Sequence, residues 1–243
     1  MIAFPAHETE PAMHPSELPA EMVARIVKRR GKLHLYESLD PARTALVVID
    51  MQGGFMAEGA AGEVPVARQI VPAINRLALA TRAAGGAVAW VQMTLGPAAE
   101  DYWVGMLDHV NVPARAGPLR QALTAGQPGH EIWPQLEVRE GDIRARKNRY
   151  SAFLPGACDL AEQLQQRGID TVLITGTLTN VCCESSARDA MMRDFKVIMV
   201  SDANAALEDS DHMASLCSLA LVVGDVYTAD ELIALLEPEG GPA

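Results

Sequence analysis

The chain has 243 residues, with 31 Asp and Glu against 20 Lys and Arg, a formal net charge of -11, and 49% hydrophobic but only 5% aromatic side chains. That is the balance of a water-soluble globular protein, and at roughly 100–200 residues per domain it allows one large α/β domain. The acidic excess disfavours counterion release on nucleic acid and adhesion to anionic lipid, so neither is an expected partner.

No apolar run approaches the 18 or so residues of a membrane span; the longest, such as Leu219 to Val223, have strand length. The start, MIAFPAHETEP, has no basic n-region followed by a continuous apolar stretch, so no secretory signal is expected. The four cysteines, 158, 182, 183 and 217, then read as thiols of a reducing compartment, and cytoplasm is the expected location.

Residues 1 to about 15 carry three prolines and few large apolar groups, which predicts an extended arm. From Ser16, Leu18, Met22, Val23, Ile26 and Val27 recur at helical spacing. The basic cluster Lys28, Arg29, Arg30 suits a solvated last turn, and Gly31 stops the helix. Residues 1–40 are thus read as arm and helix, and residues 41–243 as a single domain.

In that domain, short apolar runs alternate with amphipathic stretches. Strands are predicted at Ala45–Ile49, Ala87–Gln92, Asp142–Arg146, Thr171–Thr175, Lys196–Ser201 and Leu221–Val226. Helices are predicted at about 65–84, 157–167, 181–194, 209–219 and 228–236. Strand and helix alternating this often imply a parallel sheet covered on both faces. Residues 94–141 are too long for a simple crossover and carry Tyr102, Trp103, His109, His130 and Trp133, so they are read as a substrate-covering insertion or an oligomer contact.

Ligands of open parallel sheets collect at the carboxyl ends of the strands. Asp50 ends the first predicted strand, Lys147 follows the third, and Gly176-Thr-Leu-Thr-Asn-Val-Cys-Cys-Glu184 joins the fourth to its helix, so a carboxylate, an amine and a thiol share one rim. On a helix starting near Val181, Cys183 shares a stripe with Ala187, Ala190 and Met191, the face expected against the sheet. Cys182 shares its stripe with Ser186, Asp189 and Arg193 and is the exposed candidate. A helix N-terminus and a nearby ammonium favour a thiolate, while Glu184 opposes it.

Three segments carry a resemblance. Ala45-Leu-Val-Val-Ile-Asp-Met-Gln52 with Phe55, Lys147-Asn-Arg-Tyr-Ser-Ala-Phe153, and Gly176-Thr-Leu-Thr-Asn-Val-Cys182-Cys-Glu-Ser-Ser-Ala-Arg-Asp-Ala190 together resemble the isochorismatase-like cysteine hydrolase superfamily, over about residues 42 to 227. The resemblance implies a three-layer αβα fold with a six-stranded parallel sheet in the order 3-2-1-4-5-6, and an Asp-Lys-Cys triad falling on Asp50, Lys147 and Cys182. It further implies a cis peptide at Thr177-Leu178 and an oxyanion hole from the backbone N–H groups of Leu178 and Cys182.

Departures narrow the expectation. The nicotinamidase branch carries an Asp-x-His metal segment where this chain has Gln92-Met-Thr-Leu-Gly-Pro97, so no metal and no other cofactor is expected. His109, His130 and His212 are widely spaced and are read as surface or packing residues. True isochorismatases lack the cysteine, so Cys182 argues against vinyl-ether hydrolysis. Gly53-Gly54 replaces the usual Asn-Asp after Asp-Met-Gln.

Within the superfamily, Lys-x-Arg-Tyr-Ser-x-Phe and Asn-Val-Cys-x-Glu-Ser are most similar to the ureidoacrylate and N-carbamoyl amidohydrolase branch. The expected substrate is therefore a small amide, ureido or N-carbamoyl compound. Gln52, Phe55, Trp103, Tyr150 and Arg149 are the candidate substrate contacts, Arg149 because its guanidinium fork matches a carboxylate; a structural salt bridge is its competing role. The resemblance also implies a homodimer or homotetramer. Two alternatives stay open: a thiol redox protein pairing Cys182 with Cys183 or Cys217, and a silent binding scaffold in which the triad is only packing.

Overall fold

The computed structural model describes residues 12–96 and 102–237. The alternating apolar runs form β1 (Thr44–Ile49), β2 (Ala87–Met93), β3 (Ile143–Lys147), β4 (Thr171–Thr177), β5 (Lys196–Ala205) and β6 (Asp225–Tyr227). They pair in parallel in the order β3-β2-β1-β4-β5-β6, as expected. β1 and β4 are buried along their whole length because helices cover both faces.

The helices are α1 (Ala20–Arg30), α2 (Gly53–Met56), α3 (Val71–Ala83), α4 (Pro113–Ala122), α5 (Leu160–Gln166), α6 (Glu184–Met192), α7 (Asp209–Val222) and α8 (Ala229–Leu236). One core, including Ile26, Val47, Ile49, Leu160, Leu164, Ala187, Leu216 and Leu219, lies between the sheet and α1, α5, α6 and α7. The opposite core, including Leu46, Val48, Ile74, Leu77, Trp90, Leu232 and Leu236, lies under α3 and α8. Alternation along each strand divides the side chains between the two.

Several expectations are corrected. α1 begins at Ala20 rather than Ser16, because Pro19 sits at the N-cap and its carbonyl accepts the first helical N–H groups, from Met22 and Val23. Its last turn is not wholly solvated: Arg30 donates to Gly224 O at 3.1 Å and pairs at 2.8 Å with the buried Asp225 carboxylate. The predicted helix 65–84 divides into a 3-10 turn (Pro65–Arg68) and α3. The predicted strand Leu221–Val226 is also displaced, since Leu221 and Val222 close α7 and the strand starts at Asp225. A short apolar run fits a buried helix end as well as a strand. Gly224 makes the break, where a Cβ would stand 2.0 Å from Val197 O.

The predicted arm falls largely outside the described residues, as do residues 97–101 of the insertion. The described part of the insertion holds a π-helical segment (Gly105–Val110), α4 and a 3-10 turn (Pro128–His130). It gathers a third cluster from Met93, Leu95, Met106, Leu107, Leu119 and Leu123, with Phe55, Tyr102, Trp103 and Tyr150 packed against it. Gly53-Gly54 has a packing role here. A Cβ at Gly53 would meet Pro128 O at 2.8 Å, and one at Gly54 would meet the Leu123 side chain at 2.9 Å. The two glycines let α2 lie directly against the insertion. Among the described residues no helix is long and apolar enough to cross a membrane.

Candidate active site

β1 ends at Ile49, and Asp50 leaves the strand with φ of 54° while its N–H still donates to Val91 O at 2.9 Å. Asp tolerates this left-handed conformation better than bulky residues do, and side chains held there cluster at functional sites. On β3, alternation buries Ile143, Ala145 and Lys147 on one side and exposes Arg144 and Arg146 on the other. Lys147 is therefore drawn under the sheet end, with Nζ 2.7 Å from Asp50 Oδ2 and both side chains at most 1% exposed. Its ammonium also donates to Arg149 O at 3.1 Å and lies 3.8 Å from Met93 Sδ.

β4 delivers the thiol. Gly176, at φ of 114°, lies so close to β1 that a Cβ would stand 2.1 Å from Ile49 O, a position only glycine can fill. Thr177-Leu178 is a cis peptide. A turn of π-helix (Thr179–Cys183) follows, with the N–H groups of Val181 and Cys183 both donating to Leu178 O at 3.1 Å, and α6 continues from Glu184. Asp50 and Lys147 are the charged groups that act on the Cys182 thiol.

The two cysteines divide differently from the expectation. Cys183 faces the sheet, Sγ 3.8 Å from Thr175 O, as predicted; Cys182, expected to be exposed, is also buried. Its neighbour on the stripe, Ser186, is fully buried, because the chain after β3 covers that side of α6. The Ser186 hydroxyl donates to Cys182 O at 2.6 Å and accepts from Ala152 N at 2.9 Å, which ties the turn bearing the thiol to the segment after Lys147. Helical spacing places Ser186 beside Cys182, but nothing local in the sequence shows that the face is covered.

The electrostatics follow from burial. Asp50 is raised above the ordinary carboxylate range by desolvation, against the pull of Lys147. Burial would lower Lys147, but Asp50 and Cys182 outweigh it and the net direction is up. Burial also raises the Cys182 thiol, and Lys147 only partly offsets this. Burial thus works against the thiolate of Cys182, while Asp50 and Lys147 each favour the charged form of the other.

The remaining candidates separate. Gln52 has its amide engaged at both ends: Nε2 donates to Met93 O and His130 O at 3.1 and 2.9 Å, and Oε1 accepts from Met93 N at 2.7 Å. It bridges β2 to the insertion through these backbone groups. Trp103 and Tyr150 meet edge to face at 4.5 Å, and Arg149 Cζ stands 5.3 Å over the Trp103 ring. Arg149 Nη1 also donates to Asn148 O at 2.7 Å. Phe55 packs beside this group.

His130 and His212 are both buried in hydrogen-bonded positions, His130 beside Thr94 and Gln92, and His212 beside Thr179. Among the described residues no group of three or more His, Cys, Asp or Glu is placed to hold a metal ion.

A parallel sheet in this strand order, with a thiol, a carboxylate and an ammonium at its carboxyl edge, defines an isochorismatase-like hydrolase. The isochorismatase domain profile matches residues 44–231, and the chain belongs to that family. It is 28% identical over 240 residues to the ureidoacrylate amidohydrolase RutB of Pseudomonas savastanoi pv. phaseolicola, covering 93% of this chain and 96% of that one. A cysteine hydrolase structure from Pseudomonas syringae pv. phaseolicola superposes with a TM-score of 0.76 at 32% identity, covering 84% of this chain and 96% of the other. The N-carbamoylsarcosine amidase of Thermoplasma acidophilum superposes with a TM-score of 0.63 at 25% identity, covering 82% and 99%.

Proposed function

We propose that the protein is a cysteine amidohydrolase that cleaves a C–N bond of a small amide, ureido or N-carbamoyl compound. The observation that carries this reading is the buried contact of Asp50 with Lys147 at 2.7 Å, both of which act electrostatically on the buried Cys182 thiol. The similarity to a ureidoacrylate amidohydrolase and to an N-carbamoylsarcosine amidase supports the substrate class.

In this reading Cys182 starts as a thiol and Asp50 serves as its base. A neutral thiol is a poor nucleophile, so Asp50 takes its proton as Cys182 Sγ attacks the carbonyl carbon. The raised Asp50 is a stronger base than an ordinary carboxylate. The backbone N–H groups of Leu178 and Cys182 hold the oxyanion, each worth about 3 kcal/mol if they act like the donors of well-studied proteases. Asp50 returns the proton to the leaving nitrogen, and ammonia or an amine departs. Asp50 then accepts a proton from water as that water attacks the thioester; the C–S bond breaks, the acid product leaves, and Asp50 returns the proton to the Cys182 sulfur. Lys147 stays protonated, holds Asp50 in place and balances its charge.

Arg149 receives a substrate carboxylate, its guanidinium carried on the Trp103 face beside Tyr150. Phe55 and the Trp103–Tyr150 pair form the wall on that side. Cys183, the candidate resolving thiol of a redox protein, is turned into the sheet-side core. The test is ammonia release over carbamoyl amino acids, ureidoacrylate, biuret, nicotinamide and maleamate, with Cys182→Ala in parallel and a chelator present. Turnover of a ureido or carbamoyl compound that is lost in the variant is expected; full turnover by Cys182→Ala would remove the covalent mechanism.

A further inference from the structure

α7 holds the first residue of the thiol-bearing turn at two points one helical turn apart. His212 Nδ1 lies 2.8 Å from Thr179 Oγ1, and Ser215 Oγ donates to Thr179 O at 3.3 Å. Thr179 follows Leu178 directly and stands three residues before Cys182, so these contacts fix the stretch that must aim both the thiol and the oxyanion donors. Thr179 and His212 are fully buried. What completes the surroundings of His212 comes from outside the domain.

His14 supplies it. This residue precedes α1 and lies thirty positions before the stretch matched by the family, residues 44–231. It is nonetheless buried, and its ring stacks on His212 with centroids 4.6 Å apart and planes 20° apart. The placement is specific. Ala206 N–H donates to His14 Nε2 at 3.0 Å, which leaves Nδ1 to donate to Asp209 Oδ1 at 2.6 Å. Ala206 follows β5 and Asp209 opens α7, so His14 ties the arm across that connection and closes the outer side of the His212 ring.

We infer that His14 is a positioning residue for catalysis: the arm upstream of the hydrolase domain braces His212, and His212 braces Thr179 and the turn that presents Cys182. The inference rests on the reading of Cys182 as the nucleophile. A sub-ångström displacement of a nucleophile or an oxyanion donor affects the chemical step far more than substrate capture, and a loss on the order of 10-fold to 100-fold in rate is characteristic. The arm is then part of the active site's support, although no arm atom need touch the substrate.

The experiment measures His14→Ala, His212→Asn, His212→Leu, Thr179→Ser and Thr179→Val with the substrate found in the ammonia screen, alongside the rate of Cys182 alkylation by iodoacetamide. For His14→Ala the expected result is a kcat fall of about 10-fold with KM within about twofold, and slowed alkylation. His212→Asn, whose amide can replace Nδ1, and Thr179→Ser should retain most of the rate that His212→Leu and Thr179→Val lose. His14→Ala combined with Thr179→Val should lose little more than Thr179→Val alone.

A folded His14→Ala with unchanged kcat and alkylation rate would overturn the inference. So would an additive double mutant. If His14→Ala does not fold, Thr179→Ser matching Thr179→Val in both readouts overturns it instead. Failure of the catalytic reading is separate, since it shows as turnover surviving in Cys182→Ala.

Discussion

Lys147 Nζ and Asp50 Oδ2 stand 2.7 Å apart although β2 lies between the strands that carry them. With strands about 4.8 Å apart, only a long side chain at a strand end can cover that distance. Both groups are shut away from water, so each charge depends on the other. Lys147→Met should therefore cost about 3–5 kcal/mol of stability by leaving a buried carboxylate unpaired. Adding Asp50→Asn to it should restore much of the loss while the enzyme stays inactive. Urea unfolding of the two variants checks this; equal stabilities would mean that the pair is not coupled.

The pH dependence of kcat/KM should report Asp50 rather than the thiol. The carboxylate is needed ionised, so activity rises with pH through its value, which burial places above the ordinary carboxylate range. Above that limb the profile should be flat through neutrality, because Lys147 is raised and keeps its proton. A profile still climbing through about 8.5, where a free thiol ionises, would instead indicate a pre-formed thiolate.

His212 should make the fold acid-sensitive. Burial, and then the neighbouring His14, lower it from 6.5 to about 4, with Asp209 acting weakly the other way. The unfolded chain therefore binds a proton more readily than the folded one, so the stabilisation is complete above about 6.5 and is lost as pH falls toward 4. The loss should reach about 3 kcal/mol at most. Urea midpoints measured across that window should fall for the wild type and change less for His212→Asn.

Arg149→Ala should raise KM at least 10-fold for a carboxylate-bearing substrate, in line with loss of a charge-assisted hydrogen bond. It should leave a neutral amide of similar size nearly unaffected. Arg149→Lys should recover only part of the affinity, because an ammonium cannot reproduce the planar fork or its place over Trp103. Equal effects on charged and neutral substrates would assign Arg149 to packing.

Much of this was legible in the sequence because it is local. Apolar runs and glycine stops located most strands and helices, and the ends of β1, β3 and β4 already carried Asp50, Lys147 and Cys182. The strand order came from the resemblance. What escaped was set by distant segments. Ser186 lies on the polar stripe of α6 and Cys182 one turn before it, but both are buried, and Ser186 is held by the segment after β3. Gln52 is tied by both ends of its amide to Met93 and His130, a pairing that only the fold sets. Arg30 meets Asp225 across 195 positions, and His14 meets Asp209 across the same separation, which no periodicity encodes.

The most direct test of the central claim is intact-mass measurement of the enzyme quenched during turnover of the substrate found in the screen. The account predicts an acyl adduct that maps to Cys182, forms at the rate of ammonia or amine release, and is absent from Cys182→Ala and Asp50→Asn. Turnover without any adduct, retained when Cys182 is replaced, would contradict it.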